Sequence, residues 1–243
     1  VNETDCLRVV DKMYTKGVSS VLDYSVEGKE EEAQFDAALN MTLKTIEFAK
    51  EREAIPFAVF KPTGFGRLAL YEKVGEKAYL TENEQKEWNR VIERFDIACK
   101  TAFEKDVLLL IDAEESWMQD AADAIVTDMM RKYNKQKAIV FNTLQMYRWD
   151  RLDYLKNLHE QAKSEGFYIG MKLVRGAYME KENDRATERG LKSPICVSKE
   201  ATDINYDAAV LYMIDNINKM AIFAGTHNEE SSYKLMQLMQ EKG

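Results

Sequence analysis

The 243-residue sequence predicts an α/β fold made of six strand-and-helix units. Short apolar or β-branched runs recur without polar alternation, which is typical of strands buried on both faces of a parallel sheet. Stretches with helical periodicity separate these runs, and such alternation forms either a doubly wound open sheet or a (β/α) barrel of eight units. The predicted strands cover residues 18–26, 55–61, 106–113, 137–145, 167–174 and 219–226.

The intervening helices are predicted from their apolar stripes and their end signals. In the clearest helix, residues 116–133, Ser116 and Gln119 are spaced as a capping box. Gly166 is placed as the residue that ends the fourth helix, and Asn228 as the residue that opens the last one. The apolar stripe of residues 116–133 consists of Trp117, Ala121, Ile125 and Met129.

Composition excludes several classes of function. The net charge is −8 and no basic patch stands out, so nucleic acid is not a predicted partner. Cys6, Cys99 and Cys196 are odd in number and form no CxxC pair, which favours a reducing compartment. Two histidines cannot make a three-histidine zinc site, so no metal is predicted. No apolar run is long enough to cross a bilayer, which leaves peripheral membrane contact at most.

Polar side chains follow nearly every predicted strand at its C-terminal end. In α/β enzymes this end of the sheet carries the functional groups. The ring of polar residues therefore predicts an active site. Its members are Lys61, Asp112, Glu114, Glu115, Asn142, Gln145, Lys172, Arg175, Tyr178, Thr226, His227 and Asn228.

Several members of the ring also have a structural interpretation. Glu114 and Glu115 precede a helix, where carboxylates favour the positive end of the helix dipole, and we interpret both as helix-entry residues. Asp112 lies deeper in the strand and needs a cationic partner if it is buried. Strand alternation separates Lys172, which we place in the cavity, from Arg175 on the opposite face. Whether the ring lysines act in chemistry or only in ion pairs stays open at this point.

Three weaker candidates complete the survey. His159 lies in a charged helix and is predicted to be a solvated surface residue. His227 lies at a strand end, where a functional role and helix capping are equally compatible with the sequence. The segment "GFGRLA", residues 64–69, fits a relaxed GxGxxA pattern, but no strand follows it at the spacing that a dinucleotide-binding unit requires, so we do not predict a Rossmann site.

The segment "KLVRGAY", residues 172–178, resembles the signature of the proline dehydrogenases, flavoenzymes that oxidise L-proline to Δ1-pyrroline-5-carboxylate. The likeness is closer to the stand-alone branch than to the bifunctional branch, which has arginine at the position of Lys172. It extends in order across nearly the whole chain. The other matching segments are residues 21–29, 109–116, 141–147, 200–209 and 224–231.

The resemblance implies a distorted (β/α)8 TIM-like barrel that holds FAD at the C-terminal ends of its strands. Residues 1–243 are then expected to form one catalytic domain with six of the eight βα units. The last two units, and the arginine pair of the final helix that grips the proline carboxylate in this family, are expected to be missing from this sequence.

The resemblance also assigns residues to roles. Lys61 matches the lysine that pairs with the substrate carboxylate, Asp112 the acid that supports the site, and Lys172 the cation beside the flavin ring, while Arg175 is expected to brace the turn. Lys61, Asp112, Lys172 and Tyr178 form the implied catalytic set. The implied cofactor-binding set is Gln145, Lys172, Val174, Gly176, Ala177, Tyr178, Lys199, Thr226, His227 and Asn228.

The implied reaction is hydride transfer from L-proline to FAD, followed by reoxidation of the flavin by a quinone. A cytoplasmic protein in peripheral contact with the inner membrane is expected, or a mitochondrial one in a eukaryote; the oligomeric state is not predicted. Three alternatives remain: a hydroxyproline dehydrogenase, a Schiff-base aldolase that uses Lys61 or Lys172 as nucleophile, and a non-catalytic degenerate barrel.

Overall fold

The computed structural model describes residues 3–23 and 30–242, which contain one six-stranded parallel sheet in the order β1-β2-β3-β4-β5-β6. The strands are β1 (Val21–Asp23), β2 (Phe57–Phe60), β3 (Leu108–Ile111), β4 (Val140–Gln145), β5 (Ile169–Val174) and β6 (Met220–Ala224). The helices are α1 (Glu3–Tyr14), α2 (Glu32–Lys50), α3 (Leu68–Gly75), α4 (Glu82–Lys105), α5 (Ser116–Tyr133), α6 (Arg151–Glu165), α7 (Met179–Glu188), α8 (Lys199–Asp215) and α9 (Glu229–Lys242).

The predicted strands are confirmed, and each is followed by at least one helix. Of the first predicted strand, residues 24–26 lie outside the described residues, as does most of the matching segment 21–29. Consecutive strands are hydrogen-bonded neighbours without a reversal of order. A doubly wound sheet requires such a reversal. This topology is therefore that of a barrel, with six of the eight units of a complete one.

Aromatic contacts across the sheet demonstrate its curvature. The ring of Phe57 on β2 lies 5.4 Å from that of Phe141 on β4 and 5.2 Å from that of Phe223 on β6. In a flat sheet β2 and β6 would lie about 19 Å apart, since strands are spaced about 4.8 Å. The sheet therefore curls so that alternate strands contribute to one interior layer, as in a TIM barrel.

The curled sheet separates two apolar clusters. The smaller cluster fills the interior and includes Val59, Leu110 and Phe141. The larger cluster lies between the outer face of the sheet and the helices, and includes Leu109, Met118 and Tyr206. Because side chains alternate along each strand, the interior residues 57 and 59 of β2 continue to Lys61, and residues 108 and 110 of β3 continue to Asp112.

Helix ends agree with the sequence in part. Gly166 ends α6 in the left-handed region at φ 70°, and the Asn228 side chain accepts a hydrogen bond from the Ser231 amide at the start of α9, as expected. The prediction of a capping box formed by Ser116 and Gln119 is wrong. Ser116 is the first residue inside α5, and its amide and hydroxyl donate instead to the carboxylate of Glu182 on α7, at 2.6 and 2.5 Å.

His159 also departs from its prediction as a surface residue. Its side chain is 2% exposed, and its Nδ1 lies 2.8 Å from the hydroxyl oxygen of Tyr212. The reason is that α6 packs against α8, which carries Tyr212, so this face of a charged helix is covered by another helix. Burial lowers the pKa of His159.

Residues 62–66 are buried, so "GFGRLA" forms no open phosphate loop. A Cβ atom on Gly66 would lie 2.5 Å from the Val91 side chain, which identifies this glycine as a packing residue. Among the described residues, no helix is both long and apolar enough to cross a bilayer.

Candidate active site

A cavity of about 560 Å³ opens at the C-terminal ends of the strands. Every residue assigned by the resemblance to a catalytic or cofactor-binding role lines this cavity. Their convergence has a simple cause. Parallel strands end at one edge of the sheet, and the inner face of each strand points to the barrel axis. The lining consists of Lys61, Asp112, Ala113, Thr143, Gln145, Lys172, Val174, Arg175, Gly176, Ala177, Tyr178, Lys199, Gly225, Thr226, His227 and Asn228.

The charges around the cavity differ from those of the whole chain. Among the described lining residues, Asp112 is the one carboxylate, against four cations at Lys61, Lys172, Arg175 and Lys199. Arg175 and Lys199 each also pair with Asp203 of α8. The Nζ atom of Lys172 donates to Oδ1 of Asp112 at 2.5 Å, and both side chains are 18% exposed. A cationic cavity in a chain of net charge −8 favours an anionic ligand.

Residues 112–116, which we call the β3 loop, connect the cavity to four other elements. Besides Asp112 and Lys172, the Glu114 carboxylate accepts hydrogen bonds from the Thr63 amide at 2.9 Å and from the Thr63 hydroxyl at 2.6 Å. The Glu115 carboxylate pairs with Lys181 on α7. The Ser116 contacts with Glu182, described above, add a further link to α7. This loop therefore holds β2, β5 and α7 in place, and its backbone holds β4.

Gln145, at the end of β4, makes that backbone link. Its Nε2 donates to the main-chain carbonyl of Glu114 at 2.6 Å. Its Oε1 is buried and has no hydrogen-bond partner among residues 3–23 and 30–242. A buried acceptor without a donor costs free energy, so a ligand N–H group in the cavity would be stabilised there.

Arg175 braces the end of β5, as expected. Its guanidinium donates to Asp203 of α8 at 2.6 Å, to the Thr226 hydroxyl at 2.8 Å and to the Ser231 hydroxyl at 3.0 Å. It also lies 4.4 Å above the ring of Tyr206. These contacts connect β5 to α8, to the end of β6 and to the start of α9.

The turn after β5 depends on Gly176. Its φ of 132° lies in a region that side chains with a Cβ rarely adopt, and an added Cβ would lie 2.5 Å from the ring of Tyr147. Here the backbone passes between the main cavity and a second cavity of about 820 Å³. The two cavities share Arg175, Gly176, Ala177, Tyr178 and Lys199, so together they form one elongated site.

The residues at the end of β6, 225–228, form what we call the β6 loop. Thr226 Oγ1 accepts from Arg175 and from the Asn228 amide, the latter at 3.0 Å. His227 is exposed. On the neighbouring α8, Lys199 is also exposed and donates to Asp203 at 2.6 Å, which together with Arg175 lowers the pKa of Asp203.

Sequence reasoning missed the structural importance of Glu114 and Glu182, each 2% exposed. Glu114 is not a helix-entry residue, because its carboxylate binds Thr63 and not the amides of α5. Strand alternation could have indicated this, since residues 110, 112 and 114 share one parity. No sequence signal connects Glu182 to Ser116, 66 residues away.

Burial raises the pKa of Glu114 to about 7. The two hydrogen bonds from Thr63 and the positive charge of Lys61 oppose this shift, whereas the negative charge of Glu115 adds to it. Among the described residues, no group of three or more His, Cys, Asp or Glu side chains could hold a metal ion.

A parallel barrel with a cationic, ligand-sized cavity at the C-terminal ends of its strands defines the class of TIM-barrel-like enzymes. A sequence model of the family described as proline dehydrogenase matches residues 6–243. The chain belongs to the proline dehydrogenase family, which is a family of oxidoreductases of proline catabolism.

Curated relatives agree with this assignment. The chain is 38% identical over 220 residues to the carbapenem antibiotics biosynthesis protein CarD of Pectobacterium carotovorum subsp. carotovorum, which covers 90% of this chain and 57% of that protein. It is 38% identical over 170 residues to mitochondrial proline dehydrogenase 1 of Drosophila melanogaster, covering 66% of this chain and 25% of that protein. The chain thus spans about half or less of these relatives.

Solved structures share the fold at low identity. Proline utilization A from Bdellovibrio bacteriovorus, inactivated by N-propargylglycine, superimposes with a TM-score of 0.81 at 18% identity. The match covers 98% of this chain and 26% of that one. At such identity the likeness shows the TIM-barrel-like fold alone.

Proposed function

We propose that residues 1–243 form the catalytic domain of an FAD-dependent proline dehydrogenase that oxidises L-proline to Δ1-pyrroline-5-carboxylate. The observation that carries the proposal is the cationic cavity, in which Lys61 and Lys172 converge with Asp112 in a chain of this family. The relatives named proline dehydrogenase support the same substrate.

The chemistry of the cavity suits FAD. An elongated site with cations at Lys172, Arg175 and Lys199 matches a ligand that has a ring system at one end and a pyrophosphate further along. The buried Oε1 of Gln145 offers an acceptor for a ring N–H group. Gly176 and Ala177 bring the backbone to the cavity wall without bulky side chains. Thr226, His227 and Asn228 line the rest of the site.

When bound, FAD supplies the hydride acceptor for the ring carbon next to the proline nitrogen. The residues of this chain position the reactants and balance charge. Lys172, oriented by Asp112, presents a cation where negative charge develops. Lys61 is the partner for the substrate carboxylate, and Tyr178 packs beside the ring. The proline amine must be unprotonated, and water can accept its proton.

A membrane quinone is the proposed final electron acceptor, which would require peripheral contact with a bilayer, mitochondrial in a eukaryote as in the relative named above. Hydroxyproline is the nearest alternative substrate. The Schiff-base alternative is less favourable for Lys172, because a nucleophilic lysine must attack as a neutral amine, whereas the Lys172 ammonium is paired with Asp112.

An absorbance spectrum of the full-length protein, followed by anaerobic addition of L-proline, tests the proposal. Flavin bands that bleach with L-proline are the expected result. Bands that bleach only with hydroxyproline would reassign the substrate, and bands that neither compound moves would favour the degenerate barrel. Borohydride trapping of a lysine adduct with a carbonyl substrate, in a protein that FAD cannot reconstitute, would support the aldolase.

A further inference from the structure

Glu114 is a buried carboxylate beside the cavity for which the proposed reaction has no use. Its side chain is 2% exposed, and both of its oxygens accept hydrogen bonds from Thr63. Burying a carboxylate costs free energy unless hydrogen bonds compensate. Here the compensating donors all come from the turn after β2, so the burial of Glu114 ties that turn to the β3 loop.

The turn in question follows Lys61 directly. Pro62–Gly64 form a single 3-10 turn that begins after Lys61, and the Gly64 amide donates to the Lys61 carbonyl at 2.9 Å. The Tyr71 hydroxyl donates to the Pro62 carbonyl at 2.8 Å. The backbone from Lys61 to Gly64 is thus held by its own hydrogen bonds, by Tyr71 and by Glu114. Glu114 attaches this turn to the β3 loop through its side chain, next to the main-chain hydrogen bond from the Asp112 amide to the Phe60 carbonyl at 3.0 Å.

The backbone of Glu114 has partners as well. Its amide donates to Gln119 Oε1 at 3.1 Å, and its carbonyl accepts from Gln145. One residue therefore contacts the turn of Lys61 through its side chain and the end of β4 through its main chain. Asp112, which pairs with Lys172, lies two residues before it.

We propose that Glu114 is a positioning residue that sets the place of Lys61 for the carboxylate of the substrate. This inference rests on the proposed function, in which Lys61 is the partner of that carboxylate. The carboxylate keeps its charge through the reaction, so its contact with Lys61 is equally strong in the ground state and the transition state. Misplacing Lys61 then raises KM and leaves kcat nearly unchanged.

Two substitutions separate the hydrogen bonds from the charge. In Glu114→Gln the amide oxygen accepts from the Thr63 amide and the amide nitrogen donates to the Thr63 hydroxyl, so the link survives without the negative charge. Glu114→Ala removes both. We expect Glu114→Ala to raise KM for L-proline about tenfold with kcat within about twofold, and Glu114→Gln to stay within about threefold of the wild type.

One further variant tests the same link, and another serves as a control. Thr63→Val keeps the side-chain volume and removes the hydroxyl hydrogen bond, so KM should rise about threefold. This variant can be measured even if Glu114→Ala does not fold. Glu87 accepts two hydrogen bonds from Arg67, both at 2.7 Å, outside the lining of the cavity. Glu87→Gln is expected to leave KM and kcat unchanged.

Backbone amide exchange of residues 61 and 63–66 tests the link without turnover. Glu114→Ala should accelerate exchange in this segment and Glu114→Gln should not. Unchanged exchange in Glu114→Ala, unchanged KM, or equal damage by the two substitutions would overturn the proposal. If the wild-type flavin is not reduced by L-proline, the proposed function fails, and the exchange comparison alone decides whether Glu114 holds the turn.

Discussion

The β3 loop and the β6 loop both face the cavity, but they are held in different ways. The β3 loop has no exposed residue, and its Glu114 and Ser116 bind side chains from distant parts of the sequence. The β6 loop is partly exposed, and its Thr226 depends on Arg175 from the neighbouring strand. One side of the site is therefore organised by the fold itself, whereas the other has groups accessible to a ligand.

The largest effect is expected for Lys172→Met, which removes the cation paired with the β3 loop. The rate of flavin reduction by L-proline should fall about a hundredfold, equivalent to about 2.7 kcal/mol, because a preorganised charge is lost and Asp112 is left without its partner. Stopped-flow absorbance measures this rate. A fall of less than threefold would mean that the ion pair is structural only.

The next effect is the pH dependence of stability that arises from Glu114, a buried residue of the β3 loop. The pKa of Glu114 is raised from 4.5 to about 7 in the folded state, so the folded protein binds more protons than the unfolded chain between these values. The contribution of Glu114 to stability is therefore fully present below pH 4.5 and is lost as pH rises through about 7.

Glu114→Gln removes this titration. The stability of the variant relative to the wild type should increase by about 2–3 kcal/mol between pH 5 and pH 8.5. Urea unfolding at both pH values measures it, and subtraction of the wild type cancels the other titrating groups. A stability difference between Glu114→Gln and the wild type that does not vary with pH would contradict the raised pKa of the buried Glu114 carboxyl.

Glu182→Ala should destabilise the fold by about 2 kcal/mol, because the half-buried amide and hydroxyl of Ser116 lose their acceptor. Glu188→Ala is the matched control on the same helix, since Glu188 is exposed. The comparison is made from urea unfolding midpoints. Equal losses in the two variants would show that α7 does not anchor the β3 loop.

The smallest effect is expected beside the β6 loop. Lys199→Met removes an exposed cation whose contact is with Asp203, so the dissociation constant for FAD should rise about threefold at low salt and less at high salt. Fluorescence titration of the apoprotein measures it. A rise in this dissociation constant of about a hundredfold, as large as the fall in rate expected for Lys172→Met, would remove the contrast between the two sides of the site.

The amino-acid sequence alone was enough to predict the order of strands and helices along the chain and the candidate site residues. Buried parallel strands need apolar runs, so the charged residues at the ends of such runs, Lys61 and Asp112, could be named in advance. Strict alternation along β5 then separated Lys172 from Arg175. Gly166 and Asn228 were predictable for a similar reason, because helix ends are governed by a few local residues.

Tertiary structure decided the partners. Glu114 binds Thr63, 51 residues away in the sequence, and Glu182 binds Ser116, 66 residues away. His159 on α6 is covered by α8, which carries Tyr212. Such contacts depend on how the sheet curls and on where each helix packs, and local periodicity carries no information about either. The sequence thus determined which groups lie at the end of the barrel, and the packing of the chain decided which of them hold one another in place.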